Sequence, residues 1–245
     1  MSTWPLALDF GDARVGVVVP AVQSGDVVML AGLLQADPIL ARVRVGTRQG
    51  QKPVRTLMHV VTDWPGHLPR AAAMIGLLAE AGADVDARLH GGTGETPLHW
   101  AASSDDVPAL DALLQAGAEI DLAGASIAGG TALTLACAFA QWNAARFLVE
   151  HGATSGLWEA AALGQLDRLS ELMHAEHPSP GEVTGAFWGA CHGGQIRTAE
   201  YLLSKGADQS WVGWDGLTPR GAAERAKAGE LLRWLAAQPQ PPQTD

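Results

Sequence analysis

The sequence predicts an all-α solenoid, in which pairs of short helices stack in a row. Three observations predict it. Similar residues recur at fixed intervals, since Thr96 precedes Gly117 by 21 residues and Thr131 precedes Gly152 by 21. Each interval contains a pair of small residues and then an apolar, leucine-rich cluster. Each interval also ends at a glycine. Because one such unit cannot bury its apolar side alone, stacking of neighbouring units must create the core.

The first helix of a unit is predicted from the stretch GETPLHWAA, residues 94–102. Thr96 suits the N-cap position through its hydroxyl, and Pro97 suits the first helical turn, where a missing N–H costs nothing. The pair Ala101–Ala102 then lets neighbouring helices approach closely. His99, in the same stretch, is either a catalytic base or part of a helix start.

The second helix of a unit is predicted from the leucine-rich cluster and the glycine that ends it. Gly82, Gly117, Gly152 and Gly206 each suit the left-handed C′ position that closes a helix. His59 precedes Gly82 by 23 residues rather than 18, which predicts a five-residue insertion around residues 66–70 between two helices.

Four stretches resemble the motifs of ankyrin-repeat proteins: TPLHWAA (96–102), GADVDA (82–87), GAEIDL (117–122) and GADQ (206–209). The resemblance implies about six to seven repeats over residues 17–237, with degenerate terminal repeats, and β-hairpin fingers between them. The positions equivalent to His99 are Val19, His59, Thr134, Trp158, Trp188 and Gly221. Residues 1–16 are then an N-terminal extension, and the proline-rich residues 238–245 are predicted to be a disordered tail.

The resemblance favours the structural reading of His99, because the equivalent histidines of the family make hydrogen bonds between neighbouring units. A catalytic base would need a nucleophile or substrate within reach, yet threonine and tryptophan replace it in other repeats. Cys137 and Cys191 share one repeat position and are predicted to be small core residues, although Cys191–His192 also suggests a thiol and its base.

Two further motifs have weak chemical readings. His174 and His177 have the spacing of a weak metal site, but they also suit a helix end. The glycine-rich residues 91–95 lack the lysine and hydroxyl residue of a phosphate-binding loop. We therefore predict no catalytic residue, metal or cofactor, and expect that the protein is not an enzyme.

Composition limits the possible partners. Sixteen basic and 26 acidic residues among 245 give a net charge of −10, which disfavours nucleic acid. One segment is basic, with Arg42, Arg44, Arg48, Lys52 and Arg55. It is either a patch that binds an acidic partner or a phosphate, or a solvated finger without a binding role. The solvated finger is favoured. Without a membrane span or signal peptide in the sequence, we expect a cytoplasmic protein, and a monomer.

The expected function is binding of an unidentified protein partner on the concave face. In the family, this face is formed by the fingers and by exposed positions of the inner (first) helices. Large apolar groups at such positions suggest an interface, unless the insertion or a loop covers them. The predicted partner-binding residues are Trp64, Leu89, His90, Glu95, Ser103, Ser104, Phe139, Leu163, His192, Trp214 and Leu217.

The alternative function is a small-ligand-binding or enzyme-accessory protein. Gly152 and Trp158 leave almost no room for a finger between them, which predicts a break in the row of fingers. The break would leave a notch beside Phe139 and Leu163. The nine tryptophans either line this notch or fill irregular gaps in the core.

Overall fold

The computed structural model describes residues 7–8, 11–46 and 55–238. The backbone forms two compact units, Met1–Ala153 (unit 1) and Thr154–Asp245 (unit 2). Most of the predicted tail, and residues 1–6 and 9–10 of the predicted N-terminal extension, lie outside the described residues. The boundaries predicted at residues 17 and 237 stay a prediction.

Four helix pairs and a small sheet build the described part of unit 1. The pairs are α1 (Val15–Ser24) with α2 (Val27–Ala36), α3 (Leu57–Val61) with α4 (Ala71–Glu80), α5 (Pro97–Ser103) with α6 (Val107–Gln115), and α7 (Ala132–Ala138) with α8 (Trp142–Glu150). A short 3-10 helix (Pro38–Arg42) follows α2. Strand β2 (Arg44–Val45) pairs in parallel with β1 (Ala7–Leu8) and antiparallel with β3 (Arg55–Thr56).

Three helix pairs build the described part of unit 2. They are α9 (Leu157–Ala162) with α10 (Leu166–Ala175), α11 (Pro180–His192) with α12 (Ile196–Ser204), and α13 (Pro219–Arg225) with α14 (Gly229–Ala237). The first helices pack side by side, so that α11 contacts both α9 and α13. Phe187 lies fully buried at the centre of the core.

The helix boundaries follow the predicted signals. Thr56, Thr131 and Thr218 each accept a backbone N–H of the first turn at the start of α3, α7 and α13. At the end of α4, Gly82 has a φ of 86° and donates its N–H to Ala79 O, 2.9 Å away. Gly117, Gly152 and Gly206 are left-handed in the same way. The left-handed C′ glycines predicted from the sequence are therefore confirmed.

Small residues allow the first helices of unit 2 to pack closely. Ala160, Ala161 and Ala162 of α9 are fully buried. Gly193, which follows α11, lies so near α9 that a Cβ atom on it would be 1.9 Å from Ala162 O. The two helices thus meet backbone to backbone at their C-terminal ends.

Fingers connect the repeats, and side chains tie neighbouring fingers together. Within finger 84–95, Leu89 donates its N–H to Glu95 O (2.8 Å). Arg88 of this finger donates to Ala123 O of finger 119–130 (2.7 Å). In return, Glu95 Oε1 accepts the N–H of Ser126 (2.8 Å). These bonds fix the fingers of unit 1 against one another.

Candidate partner-binding site

His99 is part of a helix start. The N–H of Thr96 donates to His99 Nδ1 (3.2 Å) at the first turn of α5. His99 Nε2 lies 3.4 Å from Gly130 O, at the end of the following finger. His59 repeats the arrangement at the start of α3, with its Nε2 3.1 Å from Glu95 O. These bonds confirm the structural role predicted for this histidine position.

Burial keeps both histidines neutral. It lowers the pKa of His59 from 6.5 to about 4 and also lowers the pKa of His99, in each case against the raising effect of the bonded carbonyl. With Nδ1 accepting a backbone N–H, the proton of the neutral ring lies on Nε2 and points at that carbonyl. Both ring nitrogens are therefore engaged, and neither is available as a general base.

Tryptophans occupy the histidine position in unit 2. Trp188 donates its indole N–H to Leu217 O in finger 208–217 (2.9 Å), which reproduces the bond of His59 to the next finger. A Cβ atom on Gly213 would lie 2.6 Å from Trp188 Nε1, so a glycine is required beneath this ring. Trp158 likewise lies against Gly189, but its Nε1 is buried without a hydrogen-bond partner in the part of the chain that the structure describes.

We predict that Trp188→Phe destabilises unit 2 by about 2 kcal/mol. The variant removes one of the two donors to Leu217 O, which keeps the N–H of Gly213 (2.8 Å), and it removes part of a buried ring. Urea unfolding followed by circular dichroism measures the loss. Trp214→Phe is the matched control, because this exposed ring should change the free energy of unfolding by less than about 0.5 kcal/mol. Equal stability of the two variants would contradict the role of the Trp188 bond.

A stack of rings buries His192. Its imidazole lies between the rings of Trp158 and Trp188, with centroid distances of 6.4 and 5.2 Å. Arg225 covers Trp188, lies 3.2 Å from His192 Nδ1 and pairs with Asp215. Only 4% of His192 is exposed, so its predicted place on a partner-binding surface is wrong. The two bulky tryptophans in the histidine position are the physical reason.

The two cysteines are core residues. Cys137 and Cys191 are both fully buried and unbridged. Burial raises the pKa of the Cys191 thiol to about 12, so the thiolate is strongly disfavoured. Such a thiol is a poor nucleophile.

Two of the residues predicted to bind a partner in unit 1 are large, exposed and apolar. Trp64, in the loop after α3, is 83% exposed, and Phe139, at the end of α7, is 52% exposed. His90 is also exposed. Glu95 and Ser103 are half-buried, and Glu95 also accepts the indole N–H of Trp100 (3.0 Å). Trp64 and Phe139 therefore remain the apolar part of the candidate site in unit 1.

The other two residues predicted in unit 1 are buried, and their predicted exposure is wrong. Leu89 lies on the inner side of an extended segment, in which Ala87 is also buried while Arg88 and His90 are exposed. Ser104 is covered by the insertion after α3. His67 of that insertion donates its N–H to Asp106 (2.6 Å) and places its Nε2 3.0 Å from Ser104 O.

Finger 208–217 is the exposed apolar part of unit 2. Trp214 is 80% exposed, and its ring meets that of Trp211 edge to face, with centroids 5.3 Å apart. Val212, which the sequence analysis did not select, is 54% exposed beside them. Its position in the sequence between Trp211 and Trp214 could have indicated that it belongs to the same exposed apolar surface. Leu163 and Leu217 are half-buried.

The described arginines of the basic segment are bound to the fold. Arg42 donates to Gly82 O (2.8 Å) and Arg44 donates to Arg88 O (2.6 Å). Arg55 pairs with Asp63. The remaining members, Arg48 and Lys52, lie outside the described residues, so the functional reading of the segment stays a prediction.

The remaining motifs are reported for the described residues. No three histidine, cysteine or acidic side chains come together there as a metal site. His174 Nδ1 instead lies 2.6 Å from Ser170 O of its own helix. Residues 91–93 are exposed in the tip of finger 84–95. None of the described helices combines the length and the apolar character that a membrane crossing requires.

Comparison with known proteins identifies the repeats. Residues 68–156 match the family model of ankyrin repeats, in three copies. The human ASB11 ankyrin repeat domain is similar in structure, with a TM-score of 0.52, 16% identity, and coverage of 92% of this chain and 98% of that domain. The ankyrin repeat domain of Bcl-3, a member of the IkappaB protein family, gives a TM-score of 0.50, 22% identity, and coverage of 89% and 97%. No curated protein sequence matches the chain.

Proposed function

We propose that this chain, which has the ankyrin-repeat fold, is a non-catalytic module that binds a protein partner on its predicted concave face, at the fingers and the ends of the inner helices. Ankyrin-repeat domains are generally protein–protein interaction modules. The observation that supports the proposal here is the exposure of large apolar rings in each unit. These are Trp64 and Phe139 in unit 1 and Trp214 in unit 2.

The proposed mechanism is rigid display. Hydrogen bonds between neighbouring fingers hold finger 84–95 and finger 119–130 in place before a partner arrives. A preformed surface loses little conformational entropy on association, so more of the interaction energy contributes to affinity. Exposed aromatic rings then supply the central contacts, because tryptophan is enriched among the residues that dominate binding.

A cytoplasmic monomer that binds neither nucleic acid nor membrane is part of the same proposal. The net charge of −10 supports the exclusion of nucleic acid. The alternative function, a small-ligand or enzyme-accessory protein with a notch beside Phe139 and Leu163, stays a prediction.

The proposal is tested by quantitative affinity capture from the lysate of the host. We predict that Trp64→Ala with Phe139→Ser, and separately Trp214→Ala, reduce the retained partner by about tenfold or more, as expected when central aromatic contacts are lost. A partner that is retained by the wild type is then purified, and its dissociation constants are measured. Circular dichroism must show that each variant remains folded.

The matched control is Val28→Ser with Met29→Ser. Val28 is 81% exposed and Met29 is 47% exposed, but both lie on the outer helix α2 and neither belongs to a finger or to an inner helix. This control should bind like the wild type. If all variants retain the same proteins equally, or if the control loses the partner as well, the proposed surface is wrong.

A further inference from the structure

Two arginines of unit 1 each bind the finger that follows them. Arg44 donates to Arg88 O (2.6 Å), and Arg88 in turn donates to Ala123 O in the next finger (2.7 Å). Both acceptors lie six residues after the left-handed glycine that closes the preceding helix, Gly82 or Gly117. In these two fingers, the carbonyl at one fixed position thus accepts an arginine from the preceding connection.

An acidic side chain lies at a second fixed position of the same fingers. Asp84 follows Gly82 by two residues, and Glu119 follows Gly117 by two. Burial lowers the pKa of Arg44, and the nearby charge of Asp84 raises it. The guanidinium of Arg44 therefore has a carbonyl acceptor and a carboxylate in the finger that it binds.

Finger 208–217 keeps both positions but has no finger before it that could supply the arginine. Val212 follows the left-handed Gly206 by six residues, and Asp208 follows it by two. The connection between α10 and α11 has four residues, 176–179, which are too few to form a finger. Within the described part of unit 2, the carbonyl and the carboxylate thus lack their preceding finger.

Helix α11 replaces part of the missing finger without supplying a cation. Thr184 Oγ1 accepts the N–H of Asp208 (3.1 Å). Gly185 lies under the ring of Trp214, since a Cβ atom on it would be 3.8 Å from Cη2 of that ring. The charged side chain in the first turn of α11 is Glu182, a carboxylate. The surroundings of the vacant position are therefore aromatic and negative.

The charge of Asp208 has no ion-pair partner among the residues that the structure describes. Its Oδ1 accepts the hydroxyl (2.6 Å) and the N–H (2.8 Å) of Ser210, and these bonds lower the pKa of Asp208. The carboxylate is therefore ionised at neutral pH. The cations nearest to it in sequence contact other groups: Lys205 the ring of Tyr201, Arg220 the carboxylate of Glu224, and Arg225 that of Asp215.

We propose that an arginine of the protein partner fills this position, where it donates to Val212 O and lies against the ring of Trp214. The inference rests on the partner binding proposed above and names the chemistry of its contact in unit 2. Val212 is 54% exposed and Trp214 is 80% exposed, so a guanidinium reaches both from solvent. Asp208 then acts on this guanidinium as Asp84 acts on Arg44.

The chemistry of the position favours arginine over other side chains. A planar guanidinium stacks on an indole face and donates from its edge at the same time, whereas an ammonium group is compact and strongly hydrated. An aliphatic side chain would cover Trp214 but would leave the Val212 carbonyl without a donor and the charge of Asp208 unmatched.

The test titrates the full chain with the peptide acetyl-Gly-Gly-Arg-Gly-Gly-amide. The carbonyl ¹³C resonance of Val212 reports a hydrogen bond to its oxygen, and the indole ¹H–¹⁵N resonance of Trp214 reports contact with its ring. We expect both resonances to shift together and to saturate. A peptide with the neutral isostere citrulline should bind about fivefold more weakly, and a lysine peptide should also bind more weakly.

Three variants separate the local site from general attraction to an acidic protein. Trp214→Leu keeps an apolar side chain without an aromatic face and should weaken the arginine peptide about threefold. Asp208→Asn retains an acceptor for Ser210 without the charge and should weaken it about twofold. Glu230→Gln is the matched control, because this exposed carboxylate on α14 belongs to no finger, and it should bind the peptide like the wild type.

Three results would overturn the inference. The first is a titration that moves neither the Val212 nor the Trp214 resonance. The second is equal affinity for the arginine peptide and for the citrulline or lysine peptide. The third is an equal loss of affinity in Asp208→Asn and Glu230→Gln. A partner that is still captured in any of these cases leaves the proposed function intact, whereas peptide binding without any captured partner rejects the proposed function alone.

Discussion

Gly193→Ala is expected to destabilise unit 2 by about 3 kcal/mol or more. The backbone of Gly193 has ordinary dihedral angles, with φ of −79°, so the penalty is steric and not conformational. The added Cβ would lie 1.9 Å from Ala162 O, and that oxygen belongs to the backbone of the neighbouring helix. Relief requires α9 and α11 to separate, which loosens contacts along both helices. The midpoint of urea unfolding, followed by circular dichroism, measures the effect.

Gly185→Ala is the matched control on the same helix. The nearest atom to its added Cβ is Cη2 of Trp214 at 3.8 Å, which is an ordinary contact distance. Replacing glycine within a helix by alanine favours the helix by about 1 kcal/mol, so this variant should be as stable as the wild type or more stable. If both glycine variants unfold at the same urea concentration, the close approach of α9 and α11 does not limit stability.

Acidification is expected to remove about 3 kcal/mol of stability through His59. The pKa is about 4 in the folded protein, against 6.5 for the free side chain, a difference that corresponds to about 3 kcal/mol. Because the unfolded chain binds the proton more tightly, this stability is fully present above pH 6.5. It decreases as the pH falls from 6.5 to about 4. His99 adds to the loss in the same direction.

The measurement combines unfolding at several pH values with the titration of the His59 ring followed by NMR. The ring should titrate near pH 4. His59→Gln should lower the free energy of unfolding at pH 7, because part of the bonding to Thr56 and Glu95 is lost. The same variant should have a shallower decrease between pH 6.5 and 4. A His59 ring that titrates near 6.5 in the folded protein would refute this prediction.

The local fold was predictable where a residue acts through its own backbone neighbours. Thr96 and Pro97 start a helix wherever such a stretch occurs, and Gly82 closes one because it has no Cβ. These rules act over three or four residues. They therefore identified the starts and ends of the helices without knowledge of the packing, whereas the insertion after α3 was identified from the longer interval between His59 and Gly82.

Exposure was not predictable by the same rules, because it depends on residues that are distant in sequence. Ser104 follows an alanine pair, as an exposed position should, but His67 of the insertion covers it. His192, which is equivalent to the neighbouring Ser103, is enclosed by Trp158 and Trp188, which replace the histidine of other repeats. Trp64 and Trp214 remained exposed because no such segment reaches them among the described residues. The sequence indicates which positions are equivalent, whereas the three-dimensional neighbours decide which of them a partner can reach.

The bonds from His59 and His99 to the following fingers imply an order in which the repeats become complete during synthesis. His59 finds its acceptor at Glu95, 36 residues later, and His99 finds its acceptor at Gly130, 31 residues later. While the ribosome is still adding those residues, the start of each inner helix is incomplete. Each newly emerged repeat therefore completes the one before it, and a nascent chain that stalls leaves its most recent histidine without an acceptor.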